Sequence, residues 1–211
     1  MNESVNPANL VLIVTELKHK ELTSTIIGVY YDVYNGTGRT YPEYIYEQAM
    51  WDDFHRLNIA CRRQPEYQIV YKGKLVGVHK LDLLIADDVV VELKVVPSLT
   101  QRHKAQTISY LKVASKEVGL ICNFGGPRPD FARVYFSEST SHDGTNEQSS
   151  LLENAWPADF LTPELTHKVI RGLFEVHSLL GPGFVHRIYA NAVHHELVHV
   201  GGNTSTVQKP G

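Results

Sequence analysis

The chain has 211 residues, 43% of them hydrophobic, which is enough to bury one full core and a second small unit. Its formal net charge of -3 argues against a protein coated in positive charge for wrapping nucleic acid. No apolar run approaches the ~20 residues that span a bilayer, and the first ten residues lack the features of a secretory signal, so we expect a cytoplasmic protein.

Two helices are predicted near the start of the chain. Thr23 can cap a helix that carries apolar residues at helical spacing up to Tyr34, and the glycines of the run at 35–39 end it. A second helix can begin at Pro42, and its apolar residues continue on one face up to Leu57. The chain therefore opens with a pair of amphipathic helices.

Short strands separated by turns follow this helical pair and predict a meander. A third helix and two further strands come after the meander, and the third helix can serve as a crossover. The predicted strands cover 59–71, 78–85, 89–96, 119–124 and 132–136, and the third helix covers 100–115. This order predicts an α/β fold with a mixed central sheet flanked by helices.

The C-terminal part of the chain repeats the leading helices. Residues 22–49 overlay residues 165–192 with an offset of 143 and no gap, and eight of the 28 positions are identical, whereas composition alone gives ~6% per position. The intervening segment is small and polar and reads as a linker. We expect a first domain at 20–136, a polar linker at 137–160, and a partial second copy of the helical pair at 161–200.

The second copy has no sheet after it, so it is expected to be dispensable for chemistry. Two interpretations remain open for it. It is either a degenerate duplicate or a packing surface for the first domain or for a partner.

The segment VVVELKVV at 89–96 carries two charges inside an apolar strand. Glu92 and Lys94 share one face of that strand, because side chains alternate. If the preceding turn centres on Asp87, Asp82 lies directly across from Glu92 with Cβ atoms ~5 Å apart. Burying such charges costs several kcal/mol without compensation.

This pairing allows two interpretations. Two adjacent carboxylates can share a divalent cation such as Mg²⁺, which activates a water against a phosphodiester. The ammonium of Lys94 can then orient that water or stabilise charge on phosphate. The other interpretation is an ordinary cross-strand ion pair. On the third helix His103, Gln106 and Tyr110 share one face, which could look onto this site.

From the leading helices through KLDLLIADDVVVELKVV, LTQRHKAQTISYLKVA and VGLICNFG, residues 21–126 resemble the GxxExxY family of the PD-(D/E)xK nuclease superfamily. The resemblance implies a restriction-endonuclease-like core followed here by a C-terminal helical pair. It places Asp82, Glu92 and Lys94 at the acidic and lysine positions of the superfamily.

The same resemblance assigns further site residues on two helices. Gln106 and Tyr110 take the Q-x-x-x-Y motif of the RecB-like members. Glu43 falls on the glutamate that gives the family its name, although Thr40 stands where the motif has its glycine. Glu47 is a further expected metal ligand beside Asp82 and Glu92, the alternative being a glutamate that only favours the helix dipole.

These residues predict a nuclease that uses Mg²⁺ or Mn²⁺ to hydrolyse phosphodiester bonds. The expected partner is nucleic acid, with DNA favoured over RNA, and a homodimer is kept open. The alternative is a catalytically silent nucleic-acid-binding or protein-interaction module on the same fold, because a fold does not guarantee turnover.

The second copy cannot form an equivalent site by itself. His186 replaces the acidic residue at Glu43 and Ala190 stands at the position of Glu47. The copy also contains the zincin pattern H-E-x-x-H from His195 to His199. A catalytic zinc needs a third protein ligand, and Ser205 stands where the longer pattern has a histidine, so a metalloprotease is not expected.

Overall fold

The computed structural model describes residues 17–38, 41–137 and 162–200. Its elements are α1 (Lys20–Thr37), α2 (Glu43–Arg56), β1 (Cys61–Arg63), β2 (Glu66–Tyr71), β3 (Lys74–Lys80), β4 (Leu83–Ile85), β5 (Val89–Lys94), α3 (Gln101–Ala114), β6 (Val118–Asn123), β7 (Asp130–Tyr135), α4 (Pro163–Leu180) and α5 (His186–Val200). Apart from its first residue, the predicted linker at 137–160 lies outside the described residues, as does Thr40. None of the described helices is long and apolar enough to cross a bilayer.

The main sheet contains five strands in the order β1-β4-β5-β6-β7. β5 and β6 are parallel, and every other neighbouring pair is antiparallel. The parallel pair needs a crossover, which α3 provides. The predicted α/β class, with a mixed sheet flanked by helices and followed by a helical pair, is confirmed.

Each face of the main sheet packs against different helices, because alternate strand residues point to opposite sides. Val91 and Leu93 of β5 face α1 and α2 in one core cluster. Val90, one residue earlier, faces α3 in a second cluster. Glu92 and Lys94 have the parity of Val90, so they belong to the α3 face.

The predicted meander is corrected by the structure, because β2 and β3 leave the main sheet and form a separate two-stranded sheet. The chain bends at Gln64, whose φ of 49° is left-handed, and at Pro65, which has no N–H to donate. Two hydrogen bonds continue across the bend, from the Gln64 N–H to the Asp82 carbonyl at 2.8 Å and from the Leu81 N–H to the Pro65 carbonyl at 3.1 Å. Asp82 therefore lies in the short connection between the end of β3 and the start of β4.

The β2-β3 hairpin packs against α4 and α5, which we call the second helical pair. Ile69, Tyr71 and Val76 of the hairpin are almost fully buried in a cluster with residues of both helices. A Cβ at Gly77 would lie 2.2 Å from Cδ1 of Ile188, so a larger residue there would force the buried Ile188 side chain to shift. The second helical pair therefore provides a packing surface for the β2-β3 hairpin.

Candidate active site

The geometry of the candidate site follows from the unequal lengths of β4 and β5. Leu83 of β4 pairs with Val91, and β5 continues to Lys94 with only β6 beside it. The Leu93 N–H would therefore lack a partner, and it donates instead to Oδ2 of Asp82 at 2.8 Å. The Leu83–Val91 pair has the register that the turn-centred pairing predicts, and Asp82 and Glu92 follow directly beyond that last pair.

Glu92 is the most isolated carboxylate of the site. Its side chain is 2% exposed, and Nζ of Lys94 donates to its Oε1 at 2.5 Å. Its Oε2 is buried and accepts no hydrogen bond from any described residue. Burial and the neighbouring Asp82 raise the pKa of Glu92 to about 8, although Lys94 acts in the opposite direction. Such a carboxylate is costly unless a proton or a cation compensates it.

The charges of the neighbouring groups are coupled to Glu92. Burial raises the pKa of Asp82, and the Leu93 N–H and Lys94 offset part of this rise. For Lys94, burial alone would lower the pKa, but the contact with Glu92 outweighs it and the pKa is raised. Lys94 therefore keeps its positive charge between two carboxylates.

The two glutamates of α2 are held differently. Glu43 is exposed in the first turn, and its Oε1 accepts a hydrogen bond from the Val95 N–H at 3.2 Å, just beyond the end of β5. Glu47 is 4% exposed, and its oxygens accept from Nε of Arg63 at 2.8 Å and from Nε2 of Gln64 at 3.0 Å. Glu43 therefore reaches the end of β5, whereas both oxygens of Glu47 are already occupied.

The predicted polar face of α3 is only partly turned to the site. Nε2 of Gln106 donates to the Tyr110 hydroxyl at 2.7 Å. Burial raises the pKa of Tyr110 to about 12, with the charge of Glu92 as the next cause. His103 instead accepts the Thr100 N–H through Nδ1 at 3.1 Å, so it closes the start of the helix.

Three residues near the site were missed at the sequence level. Arg63 neutralises Glu47, and His79 forms a hydrogen bond of 2.7 Å with the Ser109 hydroxyl beside Tyr110. Asn123 ends β6, and its Oδ1 accepts N–H groups that follow β5 and β6, while its Nδ2 is buried without a partner among the described residues. Only Asn123 has a signal in the sequence, because it is a polar residue at the end of the buried strand β6.

The donor set fits a hard divalent cation better than a softer transition metal. Among the described residues no three His, Cys, Asp or Glu side chains are grouped closely enough to hold a metal as they stand. The nearest carboxylates are nonetheless all oxygen donors, and Oε2 of Glu92 is orphaned in a buried position. Of the predicted residues, the structure brings Asp82, Glu92 and Lys94 together.

The H-E-x-x-H segment contributes to packing on the hairpin. Oε2 of Glu196 accepts the Tyr71 hydroxyl at 2.8 Å, and Oε1 accepts Nζ of Lys72 at 3.0 Å. The zincin pattern would need Glu196 as a free base next to a metal. Here its carboxylate anchors α5 to the hairpin.

Comparison with known proteins addresses the family. No curated protein matches the chain significantly. The crystal structure of SSO0001 is similar at 20% identity over 67% of this chain and 69% of that one. The TM-score of this match is 0.35. A family model described as PD-(D/E)XK nuclease superfamily matches residues 20–134 and 163–209, well over half of the sequence. The chain therefore belongs to the PD-(D/E)XK nuclease superfamily.

Proposed function

We propose that this protein is a nuclease of the GxxExxY kind that hydrolyses phosphodiester bonds of nucleic acid with Mg²⁺ or Mn²⁺. The observation that carries the proposal is Oε2 of Glu92, a buried carboxylate oxygen with no partner among the described residues, beside Asp82 and Lys94. A purely structural ion pair would satisfy both oxygens of its buried carboxylate. This one leaves an oxygen available for a cation.

The proposed metal ligands are Asp82 and Glu92. When bound, the cation supplies an activated water and a Lewis-acid contact to phosphate. Glu43 lies at the exposed end of β5, where it can complete the acidic surface and take up the proton of the attacking water. Glu47 as a further ligand stays a prediction, and it would first have to release Arg63 and Gln64.

Lys94 has a separate proposed role, because an ammonium cannot ligate a cation. Its Nζ lies 2.5 Å from Oε1 of Glu92 and is coupled to Asp82 and Glu43. From there it can turn toward the negative charge that develops on phosphate. Gln106 and Tyr110 are proposed to position the substrate beside it, since a hydrogen bond of 2.7 Å holds their side chains together.

The cleavage test uses the full chain with end-labelled DNA and RNA of one sequence, with Mg²⁺ or with EDTA. Glu92→Gln should remove both cleavage and Mn²⁺ binding measured by calorimetry, because the replaced oxygen no longer carries charge. Lys94→Ala should keep Mn²⁺ binding and lose cleavage by ~10² or more. Comparison of the two substrates also decides between DNA and RNA.

The matched control is Lys116→Ala, which removes a lysine that pairs with Asp87 at 3.2 Å in the turn at the other end of β5. Its cleavage rate should be unchanged. Binding of nucleic acid without metal-dependent cleavage would support the catalytically silent module instead. A large loss of stability in Lys94→Ala, with no selective loss of rate, would make the Glu92–Lys94 contact a structural pair.

The domain bounds at 20–136 and 161–200, the repeat origin of the second helical pair and a homodimer also stay proposals. The second range of the family match, 163–209, supports the repeat because it covers the second helical pair. Sedimentation of the purified chain over a range of concentrations tests the homodimer.

A further inference from the structure

A cleft of about 710 Å³ lies between α3, the β3 strand and the start of α5. Gln106 and Tyr110 line it from the first domain, and His186, Arg187 and Asn191 line it from the second helical pair. The pair that the sequence predicts to be dispensable for chemistry therefore forms a wall next to the candidate active site.

The cleft is lined by basic residues and by no acidic one. Arg102 enters it from α3 and Arg187 from α5, and both side chains are exposed. No aspartate or glutamate is among its lining residues. Within the part of the chain that the structure describes, neither arginine forms a salt bridge. Two available guanidinium groups without a local carboxylate favour an anion, and their planar forks suit phosphate.

The cleft adjoins the carboxylate site through Tyr110. This residue lines the cleft, forms a hydrogen bond with Gln106 and packs in one cluster with Val90, on the face of β5 that carries Glu92. A chain of phosphates in the cleft would therefore lead toward Asp82, Glu92 and Lys94. The site itself is acidic, so it needs a neighbouring cationic surface to hold a polyanion.

The position of Arg187 is fixed by packing. The adjacent Ile188 is 3% exposed and fits over Gly77, and Nδ2 of Asn191 donates to the Val76 carbonyl at 2.7 Å. On the same side, Nζ of Lys112 donates to the Pro182 carbonyl at 2.5 Å, which fixes the turn between α4 and α5. These contacts fix the backbone of α5 at the wall of the cleft from which Arg187 extends.

We propose that this cleft binds a single-stranded stretch of nucleic acid, with Arg102 and Arg187 contacting its phosphates on the path to the active site. The proposal rests on the proposed nuclease function and names the form of its substrate. A cleft of this volume is in the range of sites for small ligands, so it has room for a nucleotide or two of one strand and not for a duplex. A positive groove with aromatic walls is how proteins hold single strands.

The test measures binding separately from cleavage. The full chain in EDTA is titrated against a fluorescein-labelled single strand of about 12 nucleotides, the matching blunt duplex, and inorganic phosphate as competitor. Anisotropy is recorded over a series of salt concentrations. Arg102→Gln and Arg187→Gln should each reduce the slope of log K against log salt by about 0.7 and weaken binding about fivefold at 0.1 M salt.

Two further variants serve as controls. Arg187→Lys keeps the charge and should recover the salt slope. Arg171→Gln removes an exposed arginine of α4 outside the cleft, and its affinity should equal that of the unmodified chain.

The outcomes separate this proposal from the nuclease proposal. Single-strand binding that depends on both arginines supports the cleft even if no cleavage is found. If both arginine variants cleave nucleic acid and bind it with full affinity, the proposed role of the cleft is wrong and the nuclease proposal stands. Equal affinity for the duplex, or full displacement by phosphate at an affinity equal to that of the strand, would overturn the proposal as well, since a free anion site would then suffice.

Discussion

The two helical pairs of this protein share eight of 28 aligned residues and the hydrogen bonds at the turn between their helices. In the first pair the Tyr46 hydroxyl donates to the Gly38 carbonyl at 3.0 Å and accepts the Tyr41 N–H at 3.2 Å. In the second pair the Tyr189 hydroxyl makes the equivalent bonds with Gly181 at 2.6 Å and with the Phe184 N–H at 3.2 Å. The offset of 143 residues relates every partner.

The pairs differ in the face that they bury. Tyr30 in α1 is fully buried against the sheet, whereas its counterpart Leu173 in α4 is 47% exposed. In α5 the residues that pack are Ile188 and Ala192, on the side that contacts the hairpin. The sequence pattern therefore determines how two helices join, while their partner depends on which apolar surface is available nearby.

The difference extends to the residue type at one equivalent position. Glu43 in the first pair reaches the end of β5, and His186 in the second pair lines the cleft beside Arg187. The first pair thus contributes the carboxylate of Glu43 to the candidate site, and the second contributes the guanidinium of Arg187 to the cleft.

The largest expected effect comes from removing the second helical pair. A chain that ends at Ser137 should lose on the order of 5 kcal/mol of unfolding free energy, because Ile69, Tyr71 and Val76 lose their cover. Urea unfolding and binding of the dye ANS measure this. Replacing Ile69 and Val76 with threonine in the shortened chain should reduce the dye binding. An unchanged unfolding free energy would mean that the hairpin does not need the pair.

The tyrosines at the two turns should differ in their contribution to stability. Tyr46→Ala is expected to cost about 3–5 kcal/mol, because the ring is fully buried and stacks on Phe124 at 4.2 Å. Tyr189→Ala should cost only about 1–2 kcal/mol, since its ring is half-buried. Urea unfolding of both variants provides the comparison. Equal losses would show that the hydrogen bonds, which are shared, dominate over burial.

Two buried glutamates, Glu92 in the main sheet and Glu196 in the second helical pair, should change the stability of the protein with pH in opposite directions. The folded pKa of Glu92 is about 8 against 4.5 unfolded, so the folded state binds more protons across that window. Without metal, stability should fall as pH rises from about 4.5 to about 8, by on the order of 4 kcal/mol. Glu92→Gln should remove this slope, as measured by urea unfolding at several pH values.

Glu196 has the reverse dependence. Burial would raise its pKa, but hydrogen bonds from Lys72 and Tyr71 outweigh this and lower it. Its contribution is therefore present above the unfolded value of 4.5 and is lost as pH falls through the lower folded value. Glu196→Gln should destabilise the protein at pH 7 and match the unmodified chain in strong acid. A constant difference at every pH would exclude the charged contact.

The smallest expected effect is a difference in stability between two glycine-to-alanine variants. Gly77→Ala should cost about 1–3 kcal/mol, because the new methyl group collides with Ile188. Gly28→Ala in α1 is the matched control: no atom lies within 4 Å of its new Cβ, and helix propensity should stabilise the protein by about 0.5–1 kcal/mol. Thermal unfolding measures both. Combining Gly77→Ala with Ile188→Ala should recover part of the loss.

The sequence by itself determined the helices and the register of β4 against β5, in which Leu83 pairs with Val91. These depend on local signals: apolar periodicity, the glycine-rich ends of helices, and a three-residue turn at 86–88 in which Ala86 and Asp87 have left-handed φ values. Turn and strands are adjacent in the chain, so their geometry follows from neighbouring residues. The alternation of side chains then places Glu92 and Lys94 on one face.

Only the tertiary structure decided which surfaces meet. The bend at Gln64 and Pro65 sends the hairpin away from the main sheet, and nothing in the strand pattern marks it as a separate sheet. Tyr71 and Glu196 are 125 residues apart, yet their contact anchors the second helical pair. The cleft between Arg102 and Arg187 exists because of that docking. Contacts over such separations arise from shape and burial in three dimensions, which leave no periodicity in the sequence.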